Sequence, residues 1–187
     1  MDTNQILNTT KDKFQKAVEF FEGEAKKLRT GRAHPSMLDG ITAEAYGTPM
    51  PLNQLATITA PEPQLLQISP FDPNNLEAIA TAIRDNQTLG LNPTDDGRII
   101  RIPIPPLTEE RRRDIAKQLS GKVEEAMIRM RNARHDALKE AENAKKNKEL
   151  SEDEVSRVQK QVDELMQEYK QKIEQAAKAK EAEILTV

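Results

Sequence analysis

The sequence predicts an α+β protein in which residues 1–30 and 105–187 form a long antiparallel three-helix bundle and residues 31–104 form a small inserted α/β domain. Three observations carry this reading. Apolar residues step by three and four in both flanks of the chain, most prolines and β-branched runs fall in the middle, and 28 basic and 31 acidic residues interleave instead of forming blocks.

In the first flank Phe14, Val18, Phe21, Ala25 and Leu28 make a heptad-like seam, so one helix is expected up to residues 29–31. From Thr108 onward Ile115, Leu119, Val123, Ala126, Met130, Ala133, Ala137, Ala141 and Ala144 repeat the stepping, which predicts a helix of roughly 60 Å. Residues 147–150 interrupt it. Ser151 and Glu154 then form a capping-box pattern that opens a third helix with a seam of Val155, Val158, Val162, Leu165, Tyr169, Ile173 and Ala176. Narrow stripes of this kind can be hidden only against one another, and the short break makes the last two helices antiparallel. Within the insert, residues 41–46, 55–59, 65–68 and 98–102 read as short strands bounded by turn residues. Asp72-Pro73 precedes Leu76, Ile79, Ala80 and Ile83 at helical spacing, which places one helix among the strands.

Composition excludes several kinds of chemistry. With 3% aromatic residues and a mean hydropathy of -0.73, the 187-residue chain suits long solvated helices better than one large core. It has no Cys, and its two His residues are His34 and His135, so zinc cages, disulfides and cysteine nucleophiles lack their atoms. Asp95-Asp96 precede Gly97 in a turn signal and have no convergent partner, so no enzyme, metal or cofactor is expected. No phosphate-binding loop of the pattern Gly-x-x-x-x-Gly-Lys-Ser/Thr occurs. No apolar run approaches the roughly 20 residues that span a bilayer, and residues 1–4 resemble neither a secretory nor a transit signal, so the expected location is the cytoplasm without membrane contact. A net charge of -3 means that RNA binding would require a local basic patch.

The insert is joined to the bundle twice, outward by residues 29–35 and back by residues 103–106. Pro103, Pro105 and Pro106 stiffen the return, while Gly31 gives the outgoing segment freedom. From the residues alone, a two-stranded hinge and a pair of rigid corners are equally good readings. Composition likewise supports a cytosolic coiled-coil adaptor that binds protein helices about as well as any other binding role.

Five stretches taken in order resemble the ribosome recycling factor family. They are residues 28–40 (LRTGRAHPSMLDG), 46–52 (YGTPMPL), 89–93 (LGLNP), 101–112 (RIPIPPLTEERR) and 131–134 (RNAR), so the resemblance runs the length of the chain. It implies an L-shaped monomer with the proportions of a transfer RNA, the bundle as its long arm and a mobile insert as its short arm. It implies binding to the large ribosomal subunit and its 23S ribosomal RNA after termination. With elongation factor G and GTP bound by that partner, such factors split the ribosome for reuse in the bacterial cytoplasm.

The candidate rRNA-binding residues are Arg131, Arg134, His135, Arg29 and Arg32. Helical spacing sets Arg131, Arg134 and His135 on one flank, and guanidinium forks suit phosphate oxygens. Many relatives carry a third basic residue where this chain has His135. Taken alone, two arginines on a charged helix are more often solvated or ion-paired; the resemblance supplies the RNA role. Arg29 has a rival explanation as a cation at a helix C-terminus. Arg129 points to the other flank, toward expected acidic partners. The candidate hinge comprises Thr30, Gly31, Arg32 and Ala33 with Pro103, Ile104, Pro105 and Pro106. Tyr46 is expected in the insert's core, and His34 beside Pro35 is expected to serve the hinge and not a metal.

Overall fold

The computed structural model describes residues 2–185 and divides into two compact units, the chain up to Thr30 with Glu109 onward, and Gly31–Thr108. The first unit is helical. Helix α1 spans Thr3–Lys26, and Asp2 and Gln5 close its start reciprocally, the Gln5 amide donating to the Asp2 carboxylate at 2.8 Å and the Asp2 amide to Gln5 Oε1 at 3.2 Å. It stops short of the expected end at 29–31. The amides of Lys27 and Leu28 fold back onto the carbonyls of Glu24 and Ala25, both at 3.2 Å, and this tighter turn terminates the helix.

Its partners are α4 (Glu109–Lys146) and α5 (Glu152–Leu185), and all three pack pairwise. Phe14, Phe21 and Ile6 of α1 are fully buried with Met130 of α4 and Val158, Val162 and Ile173 of α5. Burying side chains of that size stabilises by roughly 1.5–3 kcal/mol each. Phe14 and Tyr169 meet as tilted rings 5.9 Å apart. The buried Ala126, Ala133, Ala137, Ala141 and Ala144 give α4 its narrow seam, while Val123 and Leu165 of the expected seams are half-buried.

Between α4 and α5 the chain reverses through a Schellman motif. The Glu149 amide donates to the Ala144 carbonyl at 2.8 Å and the Lys148 amide to Lys145 at 2.9 Å, with Lys148 in the left-handed region at φ 61. Ser151 and Glu154 then form the expected capping box, the Ser151 amide donating to the Glu154 carboxylate at 2.7 Å and the Glu154 amide to the Ser151 hydroxyl at 3.3 Å. The Ser151 amide and hydroxyl hold the Glu154 carboxyl below its ordinary pKa.

The second unit holds two antiparallel sheets. Strands β1 (Thr42–Ala45) and β2 (Thr48–Pro51) form a hairpin whose two-residue turn, Tyr46-Gly47, has φ 52 and φ 77. Two positive φ values mark a type I′ turn. Tyr46 is therefore a turn residue, 72% exposed, and not part of the core. A short helical turn α2 (Leu52–Leu55) leads to β3 (Ala56–Glu62) and β4 (Leu65–Pro70). With β5 (Thr94–Asp95) and β6 (Ile100–Pro103) these make a sheet in the order β3-β4-β6-β5. Sequence reading missed β2 and β5, one half proline and the other two residues long. Helix α3 (Leu76–Asp85) packs on β1 behind a 3-10 turn, Pro73–Asn75, capped by Asp72. Leu66, Ile68, Ile79, Ile83, Ile100 and Ile102 are fully buried at the centre.

The connecting segments are partly absorbed into this unit. The Ala33 amide donates to the Pro63 carbonyl at 2.7 Å and the Ile104 amide to Gln64 at 2.8 Å, and both side chains join the insert's core. A Cβ on Gly31, at φ +79, would stand 3.1 Å from the Leu107 Cγ. The return boundary therefore falls after Thr108 and not after Ile104. Among the described residues no helix is long and apolar enough to cross a membrane.

Candidate nucleic-acid interface

Helix α4 runs without interruption past residues 131–135, so Arg131, Arg134 and His135 share one flank at i, i+3 and i+4. Each has a different environment. Arg131 is exposed and pairs through its guanidinium with Glu124, two turns earlier on the same helix. Arg134 reaches across to α5, where Nε donates to Asp163 at 2.6 Å and Nη2 to the second carboxylate oxygen at 3.4 Å. That carboxylate raises the Arg134 pKa further above its already high ordinary value, so the fork is charged at any working pH. His135 is exposed beside Asp136, whose carboxylate accepts from Lys13 Nζ at 2.8 Å and thereby ties α4 to α1.

Both arginines thus rest on carboxylates, the ion-paired arrangement that an isolated reading of two helix arginines favours. The pairs are solvent-facing, with Arg134 35% and Asp163 46% exposed, so each is worth no more than about 1 kcal/mol. Phosphate oxygens offer the same fork two acceptors, so a polyanion can replace the carboxylates without reshaping the helix. Glu124 and Asp163 were not among the candidate residues. The spacing of seven from Arg131 was a usable signal for Glu124, whereas the Asp163 contact depends on how α4 and α5 pack.

Arg129 lies 3.9 Å over the Phe20 ring, so its partner is an aromatic face and not the acidic residue expected. Arg29 stands beyond the α1 cap at Lys27, and the C-terminal cation there is Lys26, so the dipole does not account for Arg29. Arg29 and Arg32 are both exposed. His34 acts locally, its Nδ1 accepting from the Ser36 amide at 3.1 Å and so capping the 3-10 turn Pro35–Leu38. Among the described residues no cluster of His, Cys, Asp and Glu could hold a metal ion.

Charge divides unevenly along the chain. Residues 31–108 carry eight carboxylates against four arginines and no lysine, so all lysines lie in the bundle's segments. The fold thus defines a two-unit protein, a helical bundle with carboxylate-paired arginine forks on one flank, interrupted by a small acidic α/β unit.

Similarity to known proteins makes this specific. The family model for ribosome recycling factor matches residues 21–185. The ribosome-recycling factor of Halalkalibacterium halodurans is 48% identical over 99% of this chain and 100% of its own, and that of Roseiflexus sp. is 43% identical over 98% and 99%. A solution structure of a ribosome recycling factor is similar with a TM-score of 0.77 at 38% identity, covering 100% of this chain and 99% of its own. A second structure shows the Thermus thermophilus ribosome recycling factor and the Escherichia coli elongation factor G bound to the E. coli post-termination complex. Its recycling factor gives a TM-score of 0.66 at 41% identity, both chains covered in full. The chain belongs to the ribosome recycling factor family.

Proposed function

We propose that this chain is a translation factor that binds the large ribosomal subunit and its 23S ribosomal RNA after termination and, with elongation factor G and GTP, splits the ribosome for reuse. The observation that carries the reading is full-length similarity to ribosome recycling factors, one of them bound with elongation factor G to a post-termination complex. GTP belongs to the partner, because this sequence holds no phosphate loop. The protein acts as a monomer in the bacterial cytoplasm and performs no catalysis of its own. No observation favours the adaptor reading.

In this reading Arg131 and Arg134 exchange Glu124 and Asp163 for phosphate oxygens of the RNA, and His135 donates a hydrogen bond beside them. Arg29 and Arg32 add contacts near the connection. The lever is the pair of connecting segments. Ala33 and Ile104 are fastened to the β3–β4 turn, which leaves Thr30, Gly31 and Arg32 on one side, and Pro105 and Pro106 with the two residues before α4 on the other, as the segments that would swing. The test is disassembly of post-termination ribosomes by this protein, with and without elongation factor G and GTP, alongside binding to isolated large subunits. Disassembly that needs all three components supports the function; absence of binding removes it.

A further inference from the structure

The two exposed aromatic rings of the insert, Tyr46 and Phe71, are 72% and 66% accessible, in a chain with only 3% aromatic residues. Asp72 links them, by the chain to Phe71 and by a hydrogen bond to Tyr46. Phe71 directly precedes Asp72, and the Tyr46 hydroxyl donates to Asp72 Oδ2 at 2.9 Å while accepting from Asn75 Nδ2 at 3.4 Å. Asn75 is itself buried.

Tyr46 holds this position against its own backbone preference. It fills the first central place of a type I′ turn, at φ 52, where Asn or Gly sits with little strain. A bulky residue there is a genuine outlier, and sparsely populated conformations of this kind cluster at binding sites. The hydrogen bonds at its hydroxyl fix an exposed ring in one orientation, so little rotamer freedom remains to be lost when something stacks on it.

Charge decides between occupants. Asp72 is kept ionised by the Asn74 amide and the Tyr46 hydroxyl, which lower its pKa, and the surrounding unit has twice as many carboxylates as arginines. A phosphate backbone is repelled here. A guanidinium satisfies both features, because its plane stacks on an aromatic face and its fork pairs with a carboxylate. We propose that Tyr46, Phe71 and Asp72 form a docking surface for an arginine-bearing basic segment of a protein partner. The surface lies on the insert and is separate from the RNA-facing flank of α4.

The test is an NMR titration of the isotope-labelled full-length chain with three probes: a capped tetra-arginine peptide, a capped tetra-lysine peptide and an octauridine RNA. Tetra-arginine should shift the resonances of Tyr46, Phe71 and Asp72 at lower concentration than tetra-lysine, with no comparable response to the RNA. Tyr46→Asn suits the turn and keeps the hairpin, and Asp72→Asn keeps the cap on the 3-10 turn; each should weaken tetra-arginine binding roughly two- to fivefold. The unchanged remainder of each spectrum verifies the fold. Equal response to the two peptides, a stronger response to RNA, silence at these three residues, or unaltered binding by both variants would each overturn the proposal. None of these outcomes depends on ribosome splitting, so the recycling function stands or falls separately.

Discussion

In the proposed interface a phosphate must displace the Asp163 carboxylate that holds Arg134, so Asp163 would work against RNA affinity while it orients the fork. Asp163→Asn should therefore tighten binding to isolated large subunits severalfold, and Arg134→Ala should weaken it by about 1–3 kcal/mol if the contact resembles other arginine–nucleic-acid contacts. Filter binding across a salt series measures both. Affinity should fall as salt rises, and the Arg134→Ala slope should be shallower by about one counterion. Unchanged affinity in both variants would remove Arg134 from the interface. The positions of Arg131, Arg134 and His135 on one flank followed from spacing alone, because α4 is regular there. Their carboxylate partners did not all follow, since Asp163 comes from another helix and its contact is set by packing. Tyr46 departs from its expected core position for a different reason: Tyr-Gly lacks the usual chemistry of a type I′ turn, so the sequence reads as one strand through residue 46.

At the scale of elements, the reversal between α4 and α5 contains a residue poorly suited to its backbone. Lys148 at φ 61 takes the place usually filled by glycine, so Lys148→Gly should stabilise the bundle by about 0.5 kcal/mol, read as a higher urea midpoint with unchanged slope. The β5–β6 turn has a different dependence. The amides of Ile99 and Arg98 and the Arg101 guanidinium hold the Asp96 carboxyl at about 2 instead of 3.8. A lowered folded-state pKa gives stability that is complete above the unfolded value and lost as pH falls through the folded one. Amide exchange in β5 and β6 should therefore speed up as pH drops from about 4 to about 2, after correction for intrinsic rates, and Asp96→Asn should remove most of that change. Long helices were legible from their periodicity, and the capping box at Ser151 marked a start to the residue. The ends of α1 and the strands β2 and β5 were not legible, because a tight terminal turn, a proline-rich strand and a two-residue strand leave no period to read.

For the whole molecule, the two-unit division was visible as a change in composition, while the return boundary was set by the burial of Ile104 and the contact of Leu107 with Gly31. If recycling works through a swinging insert, one engineered disulfide between insert and bundle should leave ribosome binding intact and stop subunit splitting. The native chain has no Cys, so the pair introduced would be the only one, and reduction should restore activity. Splitting at the normal rate in the oxidised protein would exclude the lever.

The absence of lysine from the insert also makes the chain unusually easy to dissect with a protease. Cleavage on the carboxyl side of lysine cuts at the exposed Lys27, just past α1, and next at Lys117, in the early turns of α4. A lysine-specific protease therefore releases residues 28–117 as one piece, with the α/β unit and both connecting segments uncut. Digestion of free and ribosome-bound protein would then report at two defined bonds whether the ends of the bundle helices that carry the insert are protected, with no background from cuts inside it.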